Sequence, residues 1–461
     1  MHPTPKLPEA FTERLKCQFS KQADELIAAI GQRESVSLRI NPEKFASDKG
    51  SPVPWCQTGI YLSSRPSFVL DPLWHAGCYY VQESSSMFLE QVFRQLPCEK
   101  PRIILDLCAA PGGKSTHLLH LLSKDDLLIA NEVIHSRFHI LRENLFKWGK
   151  DNLLSISRDP KEFGQLGPLF DTIMIDAPCS GEGLFRKDPS AIKEWSRENA
   201  GMCSVRQRRI LIDSLPSLKE GGYLIYSTCT FNPEENEKNM DWLQQQGDYR
   251  SIRIPLDPGW KVDEIEFNGI WGYRFLPHRV KGEGFFICLL QKESTSATSK
   301  GRQKSDKRRE RPKTVILPEP WLTSLHRRIF VEHDDNIYSL PAIWEPEIRF
   351  LREKLRLPEP GIPVASVRKG KWNPHHSLAM NTDLIPSAFR PLELTLTDAL
   401  AYLRRQTFPF SGNTPQWRLV CYQGHPLGFI KDLGHRFNNY YPKEWRIRTS
   451  REQEAPSWHE C

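Results

Sequence analysis

Through the first two-thirds of the chain, short apolar runs alternate with stretches whose apolar residues recur every three or four positions. The short runs predict strands at Arg102–Leu107, Leu127–Asn131, Leu153–Ser157, Thr172–Asp176, Tyr223–Ser227 and Phe285–Leu290. The periodic stretches predict helices between them: KSTHLLHLL after the first strand, and a long one after the fourth that ends in LIDSLPSLKEGG. Gly221 and Gly222 are expected to stop that second helix. Strand and helix in regular alternation specify an α/β fold built on a doubly wound, mostly parallel sheet. Sheets of this kind bind ligands at the carboxyl ends of their strands.

The flanks read differently. Ala10–Ile30 predicts a helix and Val36–Ile40 a strand, giving a small N-terminal domain over 1–99 ahead of the core at 100–292. Residues 293–313 lose apolar anchors and carry Lys300, Arg302, Lys304, Lys307, Arg308, Arg309, Arg311 and Lys313, the pattern of a basic linker that is either a solvated tether or a phosphate-contacting arm. An intermediate domain at 314–390 and a module at 391–461 follow. In the last, runs such as WRLVCYQGHPLGFIKDL predict compact β-structure.

Composition narrows the class without naming a function. The 461 residues are 39% hydrophobic, 26% charged and 10% aromatic, which excludes collagen-like, wholly disordered and disulfide-scaffold proteins. No apolar run is long enough for a membrane span, and the N-terminus lacks the apolar segment of a secretion signal, so a cytoplasmic protein without a membrane partner is expected. The net charge of +7 permits a polyanionic partner without requiring one. None of the 11 cysteines has another within four positions, so no zinc knuckle or paired redox motif is available and no metal is expected. A monomer is expected.

The candidate chemistry stands at the predicted strand ends. DLCAAPGGKSTHL, from Asp106 to Leu118, puts small residues and glycines between a strand and a helix, where a ligand can approach the backbone closely. Gly113-Lys114-Ser115 matches the end of a Walker phosphate loop, but that motif needs glycine where Cys108 stands, which argues against an NTPase. Glu132 after the second strand suits a ribose-binding carboxylate. Asp159 after the third either hydrogen-bonds an adenine amine or is ordinary Asp-Pro turn chemistry. The fourth and fifth strands deliver IDAPCSGEG and YSTCTFNPEENE, so Cys179 and Cys229 should converge on the face of the glycine loop. After Cys229, Asn232-Pro233-Glu234-Glu235 reads as a helix start, with Asn232 as N-cap and Glu235 closing a capping box.

DLCAAPGGKSTHL, DAPCSGEGLFRKDP and YSTCTFNPEENE, in that order, resemble the RNA cytosine-5 methyltransferase family, the NOL1/NOP2/Sun group, over about Tyr79 to Leu290. The C-terminal WRLVCYQGHPLGFIKDLGHRFNNYYPKEWRI resembles the PUA-like RNA-binding module of a bacterial branch that acts on 16S ribosomal RNA. The resemblance implies a Rossmann-like class I methyltransferase core that uses S-adenosyl-L-methionine, with ribosomal RNA or the small ribosomal subunit as partner. It makes Cys229 the nucleophile that adds to C6 of cytosine and associates Cys179 with release of the adduct. Asp176 contacts the base and the cofactor's amino acid end, and Lys114 either orients Asp176 or steadies the loop. The cofactor cradle maps onto Cys108, Ala109, Ala110, Pro111, Gly112, Gly113 and Lys114, with Glu132 on the ribose, Asp159 on the adenine side and Arg137 in support. Arg186 and Lys187 face substrate or form a salt-bridged turn beside Asp188. In the C-terminal module, cations such as Lys431 interleave with Trp417, Tyr422, Phe437, Tyr440, Tyr441 and Trp445, about half of them core. A transfer RNA substrate, or a silent RNA-binding assembly factor on the same fold, are the alternatives.

Overall fold

A computed structural model of the chain describes residues 7–97, 101–293, 314–412, 414–450 and 458–459. The basic linker falls outside the described residues from 294 to 313. Five parallel strands form the centre of the main sheet: Ile103–Asp106, Leu127–Asn131, Leu153–Ile156, Phe170–Asp176 and Leu218–Thr228. The first lies in the middle, the second and third follow on one side, and the fourth and fifth on the other. Phe285–Lys292 runs antiparallel beside the fifth and extends the sheet through Ile270–Phe275 and Asp263–Phe267. The direction of winding reverses between the first and fourth strands, the point at which such sheets open a crevice.

Burial explains why these runs are strands. Every residue of the first two is buried, as expected where helices cover both faces of a parallel sheet. Leu118 and Leu119 of the helix Gly113–Leu121 and Leu141 and Leu145 of the helix His135–Trp148 pack on one face, and Phe163, Ile210 and Leu211 on the other. Three smaller four-stranded sheets flank the core: one with Val36–Ile40 and Tyr79–Val81, one with Arg328–His333 and Ile362–Arg368, and one with Gln416–Tyr422 and His425–Asp432. The first and last share a core in which Leu38, Leu73 and Tyr79 meet Tyr402, Leu427 and Tyr441. Among the described residues no helix is long and apolar enough to cross a membrane.

Two predicted elements differ. The helix Arg197–Ser214 stops at the turn containing Pro216, and Gly221 and Gly222 lie inside the strand Leu218–Thr228. Phe170 pairs with Leu218 but Thr172 with Tyr223, so the intervening residues bulge out, and the two glycines supply that bulge rather than a helix stop. Ala10–Ile30 is two helices, Glu9–Phe19 and Ala23–Ile30, separated by a turn at Ser20, whose φ is 49°. The break lets Phe19 pack on Phe231 with ring centroids 6.2 Å apart.

Candidate active site

A cavity of about 370 Å³ opens at the carboxyl ends of the first and fourth strands, lined by Cys108, Lys114, Asp176, Lys187, Cys229 and Phe285 among others. A second, of about 410 Å³, is lined by Glu132, Val133, Asp159 and Pro178. Cys108 and Arg137 line both, so the two adjoin.

The loop after the first strand shapes their floor. Asp106 is buried, and its Oδ2 accepts from the Ser115 hydroxyl at 2.6 Å. Burial, reinforced by the Asp176 charge, pushes its carboxyl up to about 7. The Ala109 N–H donates to the Asn131 carbonyl at 2.8 Å, and Arg137 donates to the Ala110 carbonyl at 2.8 Å, pinning the cradle to the second strand and its helix. Cys108, Ala109, Ala110, Pro111, Gly113 and Lys114 all line the first cavity with Asp176. Gly112 instead turns the chain at φ 113° and faces the next helix, where an added Cβ would lie 3.3 Å from Leu141. Glu132 accepts from the Ile134 N–H at 2.9 Å and stands 3.5 Å from Arg137. Asp159 caps the helix Pro160–Gly164 in a capping box with Glu162, yet also lines the second cavity.

Lys114 Nζ is 2.8 Å from Asp176 Oδ2, and the Ser227 hydroxyl donates to Oδ1 at 2.7 Å. Despite burial, Asp176 and then Cys229 hold the lysine above its ordinary value, so it stays an ammonium. The sulfurs of Cys179 and Cys229 are 3.0 Å apart. The hydrogen bond with Cys229, followed by burial, pushes the Cys179 thiol well up.

The turn after Cys229 is not a helix start at Asn232. Asn232 accepts from the Glu234 N–H at 3.1 Å, a short turn that delays the helix to Glu237–Gln246. Glu235 closes no capping box; its carboxylate crosses to Ser180, where it accepts from both the N–H and the hydroxyl. Asn236 instead holds the Cys229 turn, accepting from the Thr228 hydroxyl at 2.6 Å and donating to the Thr230 carbonyl at 3.0 Å.

Of the two cations at the fourth strand's loop, Arg186 forms the salt-bridged turn: it is 3.5 Å from Glu283 and donates to the Gly282 carbonyl at 3.2 Å. Lys187 is exposed and lines the cleft, and Asp188 caps the helix Pro189–Glu194. Sequence reasoning missed Gln207, Ser227 and Glu283. Gln207 left one signal: it is a polar residue on the buried face of its helix, in register with Cys203, Ile210 and Leu211. Elsewhere, Cys56, Glu90 and His117 cluster in the interior with metal-ligand donor types. Glu90 is already paired with Arg94 at 2.6 Å, and the buried Arg39 guanidinium lies within electrostatic reach of Cys56 and Glu90, so the cluster's charge is balanced by protein cations.

The strand order, with its cleft at the reversal of winding and a glycine loop on the first strand, defines a doubly wound, Rossmann-like core. Residues 94–291 match the family described as 16S rRNA methyltransferase RsmB/F, residues 7–84 the N-terminal domain of 16S rRNA methyltransferase RsmF, and residues 389–447 the methyltransferase RsmF PUA domain. The chain is 30% identical to ribosomal RNA small subunit methyltransferase F of Erwinia tasmaniensis, covering 95% of this chain and 96% of that protein. It is 31% identical to the protein of that name from Shewanella loihica, over 91% of each. A solved methyltransferase homolog protein from Pyrococcus horikoshii is 29% identical, with a TM-score of 0.52 over 62% of this chain and 95% of that one. The chain belongs to the 16S rRNA methyltransferase RsmB/F family.

Proposed function

We propose that the protein transfers a methyl group from S-adenosyl-L-methionine to C5 of a cytosine in 16S ribosomal RNA, with Cys229 as the covalent nucleophile. The observation that carries this reading is Cys229 lining one cleft with the Lys114–Asp176 ion pair, its sulfur 3.0 Å from that of Cys179. The residues present fit the cofactor: backbone and small side chains from Cys108 to Gly113 leave room for close approach, and the Glu132 carboxylate in the adjoining cavity suits a pair of ribose hydroxyls. When bound, the cofactor supplies an electrophilic methyl group.

C5 of cytosine is too weak a nucleophile to take that group unaided. Addition of the Cys229 thiolate to C6 forms a C–S bond and moves an electron pair toward C5 and the N3 side of the ring. Asp176 at N3 or N4 stabilises the protonated adduct, and Lys114 orients Asp176. After methylation the C5 proton must leave, and its electron pair reforms the ring double bond as the Cys229 sulfur departs. Cys179, beside that sulfur, belongs to this release step. The base must first leave its stack to enter the cleft. The C-terminal module supports RNA binding: Trp417 and the exposed Tyr440 meet with centroids 4.6 Å apart, and Lys431 lies 5.2 Å over Trp417. Tyr422 and Tyr441 are buried and serve the core.

Cys179→Ala protein incubated with methyl donor and 16S RNA or small subunits tests the mechanism. A protein–RNA adduct that survives denaturation should accumulate, and additional Cys229→Ala should abolish it. Normal turnover by the Cys179 variant removes that residue from the release step.

A further inference from the structure

One carboxylate ties the two cysteine loops together. Glu235 accepts from the Ser180 hydroxyl at 2.5 Å, from the Ser180 N–H at 2.9 Å and from Gln207 Nε2 at 2.9 Å. Gln207 Nε2 also donates to the Pro178 carbonyl at 2.9 Å, so both neighbours of Cys179 are gripped. The backbone carbonyl of Glu235 accepts from the Tyr226 hydroxyl at 2.7 Å and from Asn239 Nδ2 at 3.2 Å, which fixes the residue to the strand that carries Cys229. Glu235 is fully buried. Its carboxylate thus sits on the loop of Cys179, one residue along, whereas the Lys114 ammonium shares the cleft lining with Cys229.

Two thiols in contact cannot both ionise cheaply, because the second charge repels the first; once one sulfur loses its proton, the other is held as a thiol that donates to it. Two identical groups give no reason for the charge to prefer either sulfur. A carboxylate beside one and an ammonium beside the other do. We infer that Glu235 is a positioning residue that, opposite Lys114, makes the pair asymmetric, so that its single negative charge rests on Cys229 and Cys179 is held as the thiol that donates to it. This rests on the reading of Cys229 as nucleophile and deepens it: the clamp selects which of two equivalent sulfurs attacks.

Burial, against the hydrogen bonds from Ser180 and Gln207, pushes the Glu235 carboxyl up to about 7, so its charge is present above neutrality and fades below it. The other groups around it come from three elements. Glu182 is paired with Arg14 at 2.6 Å and accepts from Trp195 at 3.0 Å. Cys203 belongs to the helix that carries Gln207, and Tyr226 to the strand before Cys229.

The test is alkylation of the full-length protein by iodoacetamide across the neutral to alkaline range, without RNA or methyl donor, with Cys179 and Cys229 followed separately by peptide mass spectrometry. Wild type should label Cys229 first and Cys179 only at much higher pH. In Glu235→Gln the midpoint for Cys179 should fall, by about tenfold in its acid dissociation constant. Ser180→Ala loosens the loop but keeps the carboxylate, which stays ionised in the alkaline range where Cys179 titrates, and should move that midpoint far less. A Glu235→Gln profile that is faster at every pH with an unmoved midpoint overturns the inference, as does an equal midpoint shift in Ser180→Ala. Should Glu235→Gln not fold, Lys114→Met removes the opposite charge: the ratio of Cys229 to Cys179 labelling should drop about tenfold, and an unchanged ratio overturns the inference. Because no RNA is present, asymmetric thiols in a protein that fails to methylate cytosine would sink the functional reading alone.

Discussion

Lys114 and Ser227 hold one oxygen each of the Asp176 carboxylate, at 2.8 and 2.7 Å, and only the lysine brings a charge. Lys114→Met keeps an apolar stem near Phe285 but leaves Asp176 without its counter-ion. Methyl transfer at saturating substrate should fall by about 10²- to 10³-fold, measured as kcat, while the urea midpoint stays near wild type. A wild-type kcat would make Lys114 a loop-steadying residue only. At this scale the sequence was most legible where chemistry is packed into strand-end motifs: Lys114, Asp176 and Cys229 line one cleft, and the Cys179 sulfur lies 3.0 Å from that of Cys229. For Arg186 the sequence left substrate contact and a salt-bridged turn both open, because the partner that decides it, Glu283, comes from a loop remote in the chain. Glu235 was misread as closing a capping box, because its real partner Ser180 belongs to a loop remote in the chain.

The two cysteine turns also meet through backbone. The Gly183 N–H donates to the Cys229 carbonyl at 2.8 Å. A Cβ added at Gly183 would lie 2.0 Å from the Gly284 carbonyl oxygen and 2.8 Å from that of Cys229, and backbone atoms cannot swing aside. Gly183→Ala should therefore cost about 1–3 kcal/mol in urea unfolding and depress methylation beyond that loss, since it wedges the Cys229 turn away from the Cys179 loop. An alanine variant of wild-type stability and activity would show that the turns can separate freely. Strand cores were readable from apolar runs. What eluded pattern reading were the irregularities, the bulge at Gly221 and Gly222 and the break at Ser20, each set by a tertiary neighbour rather than by local propensity.

Across the whole molecule, the C-terminal module, the N-terminal domain and the core meet around buried imidazoles. His75 bonds the Tyr441 hydroxyl at 3.1 Å and the Val69 carbonyl at 2.9 Å, and His376 packs edge-on against Tyr441 and Trp445. Burial holds His75 down to about 3 and His375 to about 4, with Lys147 and Arg142 respectively adding to the effect, and His376 is held well below its usual value. Unfolded, each takes a proton near pH 6.5. Their contribution is therefore intact above about pH 6.5 and is lost as the pH falls toward 4, by about 2 kcal/mol per histidine near pH 5. Buried Asp106 and Glu235, held up near 7, act in the opposite sense over the same window, so the histidine share is read as a difference: wild-type Tm should fall more, or rise less, than that of His376→Phe between pH 6.5 and 4, and parallel curves would contradict the assignment. None of this docking was visible along the chain, because its partners lie hundreds of positions apart. The central claim concerns one reaction, and labelled methyl transfer from S-adenosyl-L-methionine into 16S RNA, small subunits and transfer RNA, followed by nucleoside analysis, tests it most directly. The account predicts 5-methylcytidine in the small-subunit fraction with wild-type protein and none with Cys229→Ala. Label in another nucleoside, label confined to transfer RNA, or undiminished label with Cys229→Ala would contradict it.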